Sequence, residues 1–291
     1  MLQHILDATS TGSLYAVIAL GIALVFGVMK LVNFAYGELL VVGGFIIYVT
    51  ESLPWPVVVA CALLGVAIVA FLMERIAFRP VRNADPTTML ITSFAVSILI
   101  QNIFVWTAGR RAKGVSFGNS LAEPVHIGSA SVPIVELVTI GVIIAVLVGF
   151  VFLLQRTETG IQMRAASEDF QMTRLLGVKA NRVIVAAFVA SGILAAVASL
   201  LLIATTGAVS PYIGLTPVLV GFVATVIGGM GSLTGAAVGG FLLGVVTVVF
   251  QVALPDSVQS YRDAFVFGGV ILVLLLRPNG LFAGHALEER V

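Results

Sequence analysis

Charge is scarce in this 291-residue chain: 10% of its residues are charged against 59% hydrophobic, and the mean hydropathy is +1.14. A soluble domain carries about 25% charged residues, so most of this surface faces something other than water. The net charge of +1 excludes a strongly basic nucleic-acid binder and an acidic tail protein. Cysteine is nearly absent. Cys61 stands alone inside an apolar run, so no disulfide forms within the chain. His4, His126 and His285 lack the spacing of metal ligands. No Gly-Lys pair occurs, which removes the GxxxxGK[ST] phosphate loop and with it ATP hydrolysis by that route. No Ser/His/Asp arrangement or paired carboxylate stands within the apolar stretches, so no catalytic residue and no metal is expected. Met1–Ser13 has no basic leader region and reads as the lead-in to a first span, not a signal peptide.

Long apolar runs are what the chain does have. In lipid every backbone polar group must be satisfied inside the protein, which leaves helices or closed barrels. Barrel strands alternate apolar and polar residues, whereas runs such as Pro133–Leu154 and Val183–Ala204 do not. The candidate spans are 10–29, 36–50, 56–78, 88–107, 133–155, 183–204, 215–229, 233–252 and 263–277. The fold class is therefore all-α: a polytopic transmembrane helical bundle of about eight to nine segments, forming one domain over 1–291. Segments 36–50 and 215–229 are short and glycine-flanked, as broken or re-entrant helices are. All ten prolines fall at segment ends or in connections, where a missing N–H costs least.

Alternating crossings put Lys30, Arg75, Arg79, Arg82, Arg156, Arg164, Arg174, Lys179, Arg182, Arg277 and Arg290 on one side. Arg110, Arg111, Lys113 and Arg262 take the other. The positive-inside rule makes the first side cytoplasmic, with the N-terminus outside and the C-terminus inside. A faint internal echo pairs 10–29, 36–50 and the span ending Arg79-Pro80 with 215–229, 233–252 and the span ending Arg277-Pro278. Both units enter and leave on the same sides, which would make a parallel repeat.

Three segments could carry function. LVNFAYGE (31–38) brings Asn33, Tyr36, Gly37 and Glu38 to the end of an apolar run. It is either a break lining a pathway, where an ionisable group must be paired or wet, or a cytoplasmic turn with Glu38 at a helix N-terminus. GGMGSLTG (228–235) holds four glycines, with Ser232 among them. Gly228, Gly229 and Gly231 allow close backbone approach or positive φ, either beside a pore or in small-residue helix packing. The loop 156–182 carries eight charges around Arg164, Ala165, Ala166, Glu168, Asp169, Phe170, Leu175 and Gly177. Glu158 or Thr159 can start a short helix there and Gly177 can end it. Such a helix either docks a soluble partner or rests on lipid headgroups.

These segments resemble the branched-chain amino-acid permease family of LivH type. LGIALVFGVMKLVNFAYGELL (20–40) is similar to the family's first break, usually close to INFAHGE, with Tyr36 in place of the usual histidine. ERIAFRPVR (74–82) resembles its exit after the third span, and GIQMRAASEDFQMTRLLGV (160–178) its coupling segment. VIGGMGSLTGAAVGG (226–240) and LLRPNGLF (275–282) resemble its glycine break and C-terminal signature. The resemblance covers nearly the whole chain, in register.

The resemblance implies a permease subunit of an ABC importer in the cytoplasmic (inner) membrane. Its partners would be a homologous second permease, two cytoplasmic ATP-binding subunits and an extracytoplasmic substrate-binding protein, with membrane lipid around it and no nucleic acid. ATP and Mg would bind on partner subunits, and this chain would bind no cofactor. The loop at 156–182 becomes the ATPase-coupling segment, and Asn33, Tyr36, Gly37, Glu38, Gly228, Gly229, Gly231 and Ser232 become the substrate pathway. Relatives importing urea, short amides or aromatic acids share this architecture. An ion-coupled secondary transporter would instead need charged sites near the midplane, where Asn33, Gln101 and Asn102 are the polar candidates.

Overall fold

Apolar runs this long have one stable form in lipid, and each becomes a helix. The computed structural model describes residues 2–30, 32–82, 84–117, 124–127, 130–168, 170–255, 257–277 and 280–281. In chain order these form α1 (Leu2–Met29), α2 (Tyr36–Thr50), α3 (Trp55–Met73), α4 (Arg79–Val81) and α5 (Pro86–Ala108). Next come β1 (Lys113–Gly114), the hairpin β2 (Pro124–Ile127) and β3 (Ala130–Pro133), α6 (Ile134–Arg156), α7 (Glu158–Glu168) and α8 (Phe170–Leu175). Last are α9 (Ala180–Thr206), β4 (Ala208–Val209), α10 (Leu215–Gly228), α11 (Leu233–Ala253) and α12 (Arg262–Leu276). A π-turn at Glu74–Phe78 joins α3 to α4 without a break, so Trp55–Val81 acts as one span. Seven described helices are long and apolar enough to cross a membrane, and Tyr36–Thr50 and Leu215–Gly228 are shorter apolar helices. The segments read from sequence are all present, the two short ones included.

The two ends of the bundle are fixed by polar contacts. At one end Lys30 Nζ donates to the Ser167 carbonyl of α7 at 2.8 Å, and Arg82 bonds both Glu74 and Asn181. At the other, β1 pairs antiparallel with β4, Lys113 opposite Val209, and the Glu51 carboxylate accepts from Ser116 N at 2.9 Å. Lys30, Arg82, Arg164 and Arg182 thus share the α7 end, and Lys113 lies at the opposite one, as the charge alternation expects.

Small residues let the central helices meet backbone to backbone. A Cβ on Gly240 would lie 2.6 Å from the Tyr15 carbonyl oxygen, and one on Gly244 would lie 2.6 Å from Gly12 N, so α1 beds directly into α11. The Ser191 hydroxyl donates to Gly21 O at 2.8 Å and Ser199 to Leu40 O at 2.9 Å, fastening α9 to α1 and α2. Around this centre α5 and α12 are peripheral, each with only 11% of its apolar window buried.

The internal repeat is real but differs from the parallel one read in the sequence. Long, short and long helices follow one another as α1, α2 and α3 (28, 15 and 19 residues) and again as α9, α10 and α11 (27, 14 and 21). α1 runs toward the α7 end, whereas α9 starts there and runs away, so the second unit is inverted. Packing follows the same rule: α1 lies on α11 as α9 lies on α3, and α2 meets α10. The parallel pairing fails because it matches a short helix with a long one. Apolar segments carry no direction in their composition, which is why sequence could not tell the two schemes apart.

Candidate functional site

The two short helices both begin inside the bundle. α1 ends at Met29, Lys30 adopts φ 54°, and non-helical backbone returns inward to start α2 at Tyr36. Depth is set by neighbours: Glu38 Oε1 accepts from the Ser97 hydroxyl at 2.9 Å, and Ser97 stands halfway along α5. The Tyr36 ring lies against Gly21, where a side chain would strike it. From the opposite end, residues 207–214 descend past Gly44, which Val209 touches, and start α10 at Leu215. The two helix starts meet at Gly37 and Gly214, each glycine facing the other's carbonyl oxygen; a Cβ on Gly37 would sit 2.6 Å from Gly214 O. Non-helical backbone at this depth is tolerated only where protein or a water-filled cavity surrounds it.

Polar groups at this meeting point are sealed and incompletely bonded. Asn33 is 2% exposed, Tyr36 0% and Glu38 4%. Asn33 Oδ1 accepts from Ala35 N at 3.0 Å, but its Nδ2, the Tyr36 hydroxyl and Glu38 Oε2 have no partner among the described residues. Each such buried orphan costs about 1–3 kcal/mol. Phe34 stacks on Phe94 at 4.4 Å and closes the side toward α5. The cytoplasmic-turn reading of 31–38 is therefore wrong for Tyr36, Gly37 and Glu38, which lie well inside the bundle.

The glycine-rich break is a different object. Gly228 ends α10 with its backbone against Gly235, and Gly239 packs on Gly228, where a Cβ would lie 2.8 Å from its nitrogen. Small-residue packing accounts for these positions. Gly229 and Gly231 turn the chain with φ of 105° and 102°. Ser232 caps α11, its hydroxyl accepting from Gly235 N at 3.0 Å. The turn lies at the α7 end beside Lys30, whose Nζ is 3.8 Å from where a Gly231 side chain would start. Leu281 N donates to Ile227 O at 2.7 Å and Gly280 covers Gly229, so the C-terminal signature straps this turn. The breaks at 31–38 and 228–235 are not brought together.

The charged loop forms two helices, α7 and α8. α7 starts at Glu158 as read from sequence, and Thr157 caps it, its hydroxyl accepting from Gly160 N at 3.1 Å. Met163 and Ala166 are buried, and a Gly27 side chain would begin 3.2 Å from Ser167 Cβ, so α7 is bedded on the end of α1. Phe170 is half-buried against the chain's own core, beside the buried Ala166. Arg164, Ala165 and Gly177 are exposed, and Leu175 and Leu176 are 81% and 79% exposed. Gly177 closes the turn at φ 87°. Leu176 completes an apolar knob that the sequence reading left out of its site. Asp169 and the Glu168 side chain lie outside the described residues.

Two features went unnoticed in the sequence. The re-entrant segment 207–214 reads GAVSPYIG, whose glycines and proline between two apolar runs were the available signal. The Glu74 carboxylate, fully buried, pairs with Arg82 within the motif ERIAFRPVR.

A polytopic helical bundle with two opposed re-entrant segments and unpaired polar groups where they meet defines a class, that of membrane transport proteins. The sequence matches the family described as "Branched-chain amino acid transport system / permease component" over residues 4–275. It is 32% identical to the high-affinity branched-chain amino acid transport system permease protein BraD of Pseudomonas aeruginosa, covering 99% of this chain and 97% of BraD. It is 32% identical to the permease protein LivH of Salmonella typhimurium and 31% identical to that of Escherichia coli, each over 99% of this chain and 97% of the relative. The chain belongs to the branched-chain amino acid transport permease family. It is a multi-pass membrane permease component, not an enzyme.

Proposed function

We propose that this chain forms one half of the membrane pathway of an ABC importer for branched-chain amino acids in the cytoplasmic membrane. The observation that carries the proposal is the meeting of two re-entrant segments at Gly37 and Gly214, beside the unpartnered polar atoms of Asn33, Tyr36 and Glu38. Orphaned groups at mid-depth lower stability in the sealed state and find water or substrate in an open one. The sealed arrangement is then one of two states whose populations the driving subunits shift. Asn33, Tyr36, Gly37 and Glu38 line the route, and Gly228, Gly229, Gly231 and Ser232 form its gate at the α7 end.

Residues 1–291 act as one permease domain, and 156–182 couples it to two ATP-binding subunits. Leu175 and Leu176 are its outward contacts, while Ala166, Met163 and the Lys30 bond to Ser167 pass motion to α1. The chain itself holds no cofactor; ATP and Mg bind on those subunits. A second, homologous permease completes the route and an extracytoplasmic binding protein delivers substrate. The α7 end faces the cytoplasm, the N-terminus lies outside and the C-terminus inside, which the clustering of basic residues at that end supports.

The test is labelled leucine uptake by cells carrying the chain with its neighbouring transport subunits, and co-purification of ATP-binding subunits with it. Uptake that depends on the chain and on ATP is expected. Uptake unchanged on deleting the chain, or purification without any ATP-binding subunit, overturns the reading.

A further inference from the structure

At the end opposite α7, between the first turns of α1 and α6 and the last turns of α9 and α11, lies a cavity of about 670 Å³. That size suits a small molecule, and its lining includes no residue of either break. One wall is acidic. The carboxyls of Asp7 and Glu136 stand within hydrogen-bonding reach of each other, Glu136 Oε2 has no partner among the described residues, and His4 Nδ1 lies 4.0 Å from Asp7. Two carboxyls so placed share a proton or, when both are ionised, are relieved of their repulsion by a cation between them. An ammonium, with three donors, can hydrogen-bond both carboxyls at once.

Beside the acids, Ser10 lines the cavity at 8% exposure and makes no hydrogen bond among the described residues. A buried hydroxyl left unbonded in a cavity is satisfied by what fills it. On α11, Arg262 Nη1 donates to Gln251 Oε1 at 3.0 Å, which fixes that amide and leaves its Nε2 hydrogens as donors. The remaining lining sets an aliphatic patch of Leu14, Leu201 and Val248 among the hydroxyls of Thr11, Thr139 and Thr205. The cavity thus offers a cation site, a neutral hydrogen-bond donor and an aliphatic surface.

We infer that this cavity binds a free amino acid with a branched alkyl side chain. Its ammonium sits between Asp7 and Glu136, its carboxylate on Gln251 and its alkyl group on Leu14, Leu201 and Val248. The inference rests on the permease reading above and adds a substrate site apart from the two breaks.

The test uses the assembled transporter carrying Cys61→Ser and Ser10→Cys, and measures how fast a thiol reagent labels position 10. L-Leucine slows labelling. Asp7→Asn or Glu136→Gln raises the concentration needed for half-protection about tenfold or more, the scale of a lost charge-assisted hydrogen bond. 3-Methylbutylamine, which has the ammonium alone, protects in a manner sensitive to the acids and indifferent to Gln251→Leu. 4-Methylpentanoate, which has the carboxylate alone, shows the reverse. Each acid is changed singly, so one unassembled variant leaves the other to read. Protection unchanged in an assembled acid variant overturns the site, as does no protection at leucine concentrations that saturate uptake. Leucine uptake by the parent complex is measured alongside. Uptake without protection rejects this cavity and leaves the permease reading standing, whereas no uptake at all rejects both.

Discussion

The two breaks that stand out in the sequence share a signature, glycine and polar residues between apolar runs, yet they are physically opposite. The first, described from residue 32 to 38, returns into the bundle and leaves three polar atoms without partners among the described residues. The second, at 228–235, is a turn at the bundle's end in which Ser232 caps a helix and Leu281 bonds Ile227. What separates a buried re-entrant element from a turn at the bundle's end is thus unmet hydrogen bonding at depth, rather than glycine content. The structural counterpart of the first break is 207–214, which meets it through Gly37 and Gly214 in an inverted repeat.

The largest effect is expected where the two re-entrant segments touch. Gly37→Leu or Gly214→Leu drives a side chain into backbone, which cannot yield as a flexible side chain can. Overpacking of this kind costs about 1–3 kcal/mol in soluble cores and more where two backbones must part. Neither variant is expected to give a monodisperse protein in detergent. Wild-type yield and thermal midpoint from both would show that the contact is dispensable, and the comparison would lose its first term.

Next come the second break's glycines. Gly231→Leu meets open space apart from Lys30, so its cost is the left-handed backbone, about 1–2 kcal/mol. Gly229→Leu carries the same backbone cost at φ 105°. Both complexes should assemble with a lowered thermal midpoint and import poorly per assembled complex, as a gate requires. Normal import per complex would reduce this break to a turn.

A smaller effect of opposite sign sharpens the first break. Glu38→Gln keeps an acceptor for Ser97 and removes a carboxylate oxygen that has no partner. If that oxygen serves transport at the expense of stability, the variant melts higher by a few degrees, about 1 kcal/mol. Its leucine uptake per complex should fall about tenfold, a barrier higher by about 1.4 kcal/mol. A purely structural Glu38 predicts the reverse pattern, with lower melting and uptake intact.

How far the sequence could be read follows from these particulars. Segment positions were legible because twenty apolar residues have one stable form in lipid, and the shortness of α2 and α10 marked them as interrupted. Depth was not legible. Glu38 reads equally well as a first-turn acid in a cytoplasmic turn until Ser97 fixes its height halfway along α5. Repeat direction was hidden because apolar composition is the same read either way. The cavity beside Asp7 and Glu136 joins residues more than a hundred positions apart, and nothing local announces it. In the charged loop, the amphipathic pattern located the helices but could not say which apolar residues face inward.

That last ambiguity yields the smallest effect on this chain and the clearest division of roles. Leu175 and Leu176 are 81% and 79% exposed, so their truncation removes almost no packing within the chain. Leu175→Ala with Leu176→Ala should leave the thermal midpoint of the isolated chain within about 0.5 kcal/mol of wild type. Phe170 faces the other way, packed half-buried on the core beneath α7. Phe170→Ala should lower the midpoint by part of the roughly 3–5 kcal/mol that a fully buried phenylalanine commands. Co-purification of ATP-binding subunits separates the two. It should fall sharply in the leucine pair, because exposed apolar side chains at an interface centre carry much of its energy. In Phe170→Ala it should fall only as far as the folded fraction falls. Should the leucine pair hold its partners at wild-type stoichiometry, this knob rests on lipid headgroups, and whatever moves the glycine turn beside Lys30 reaches it by another surface.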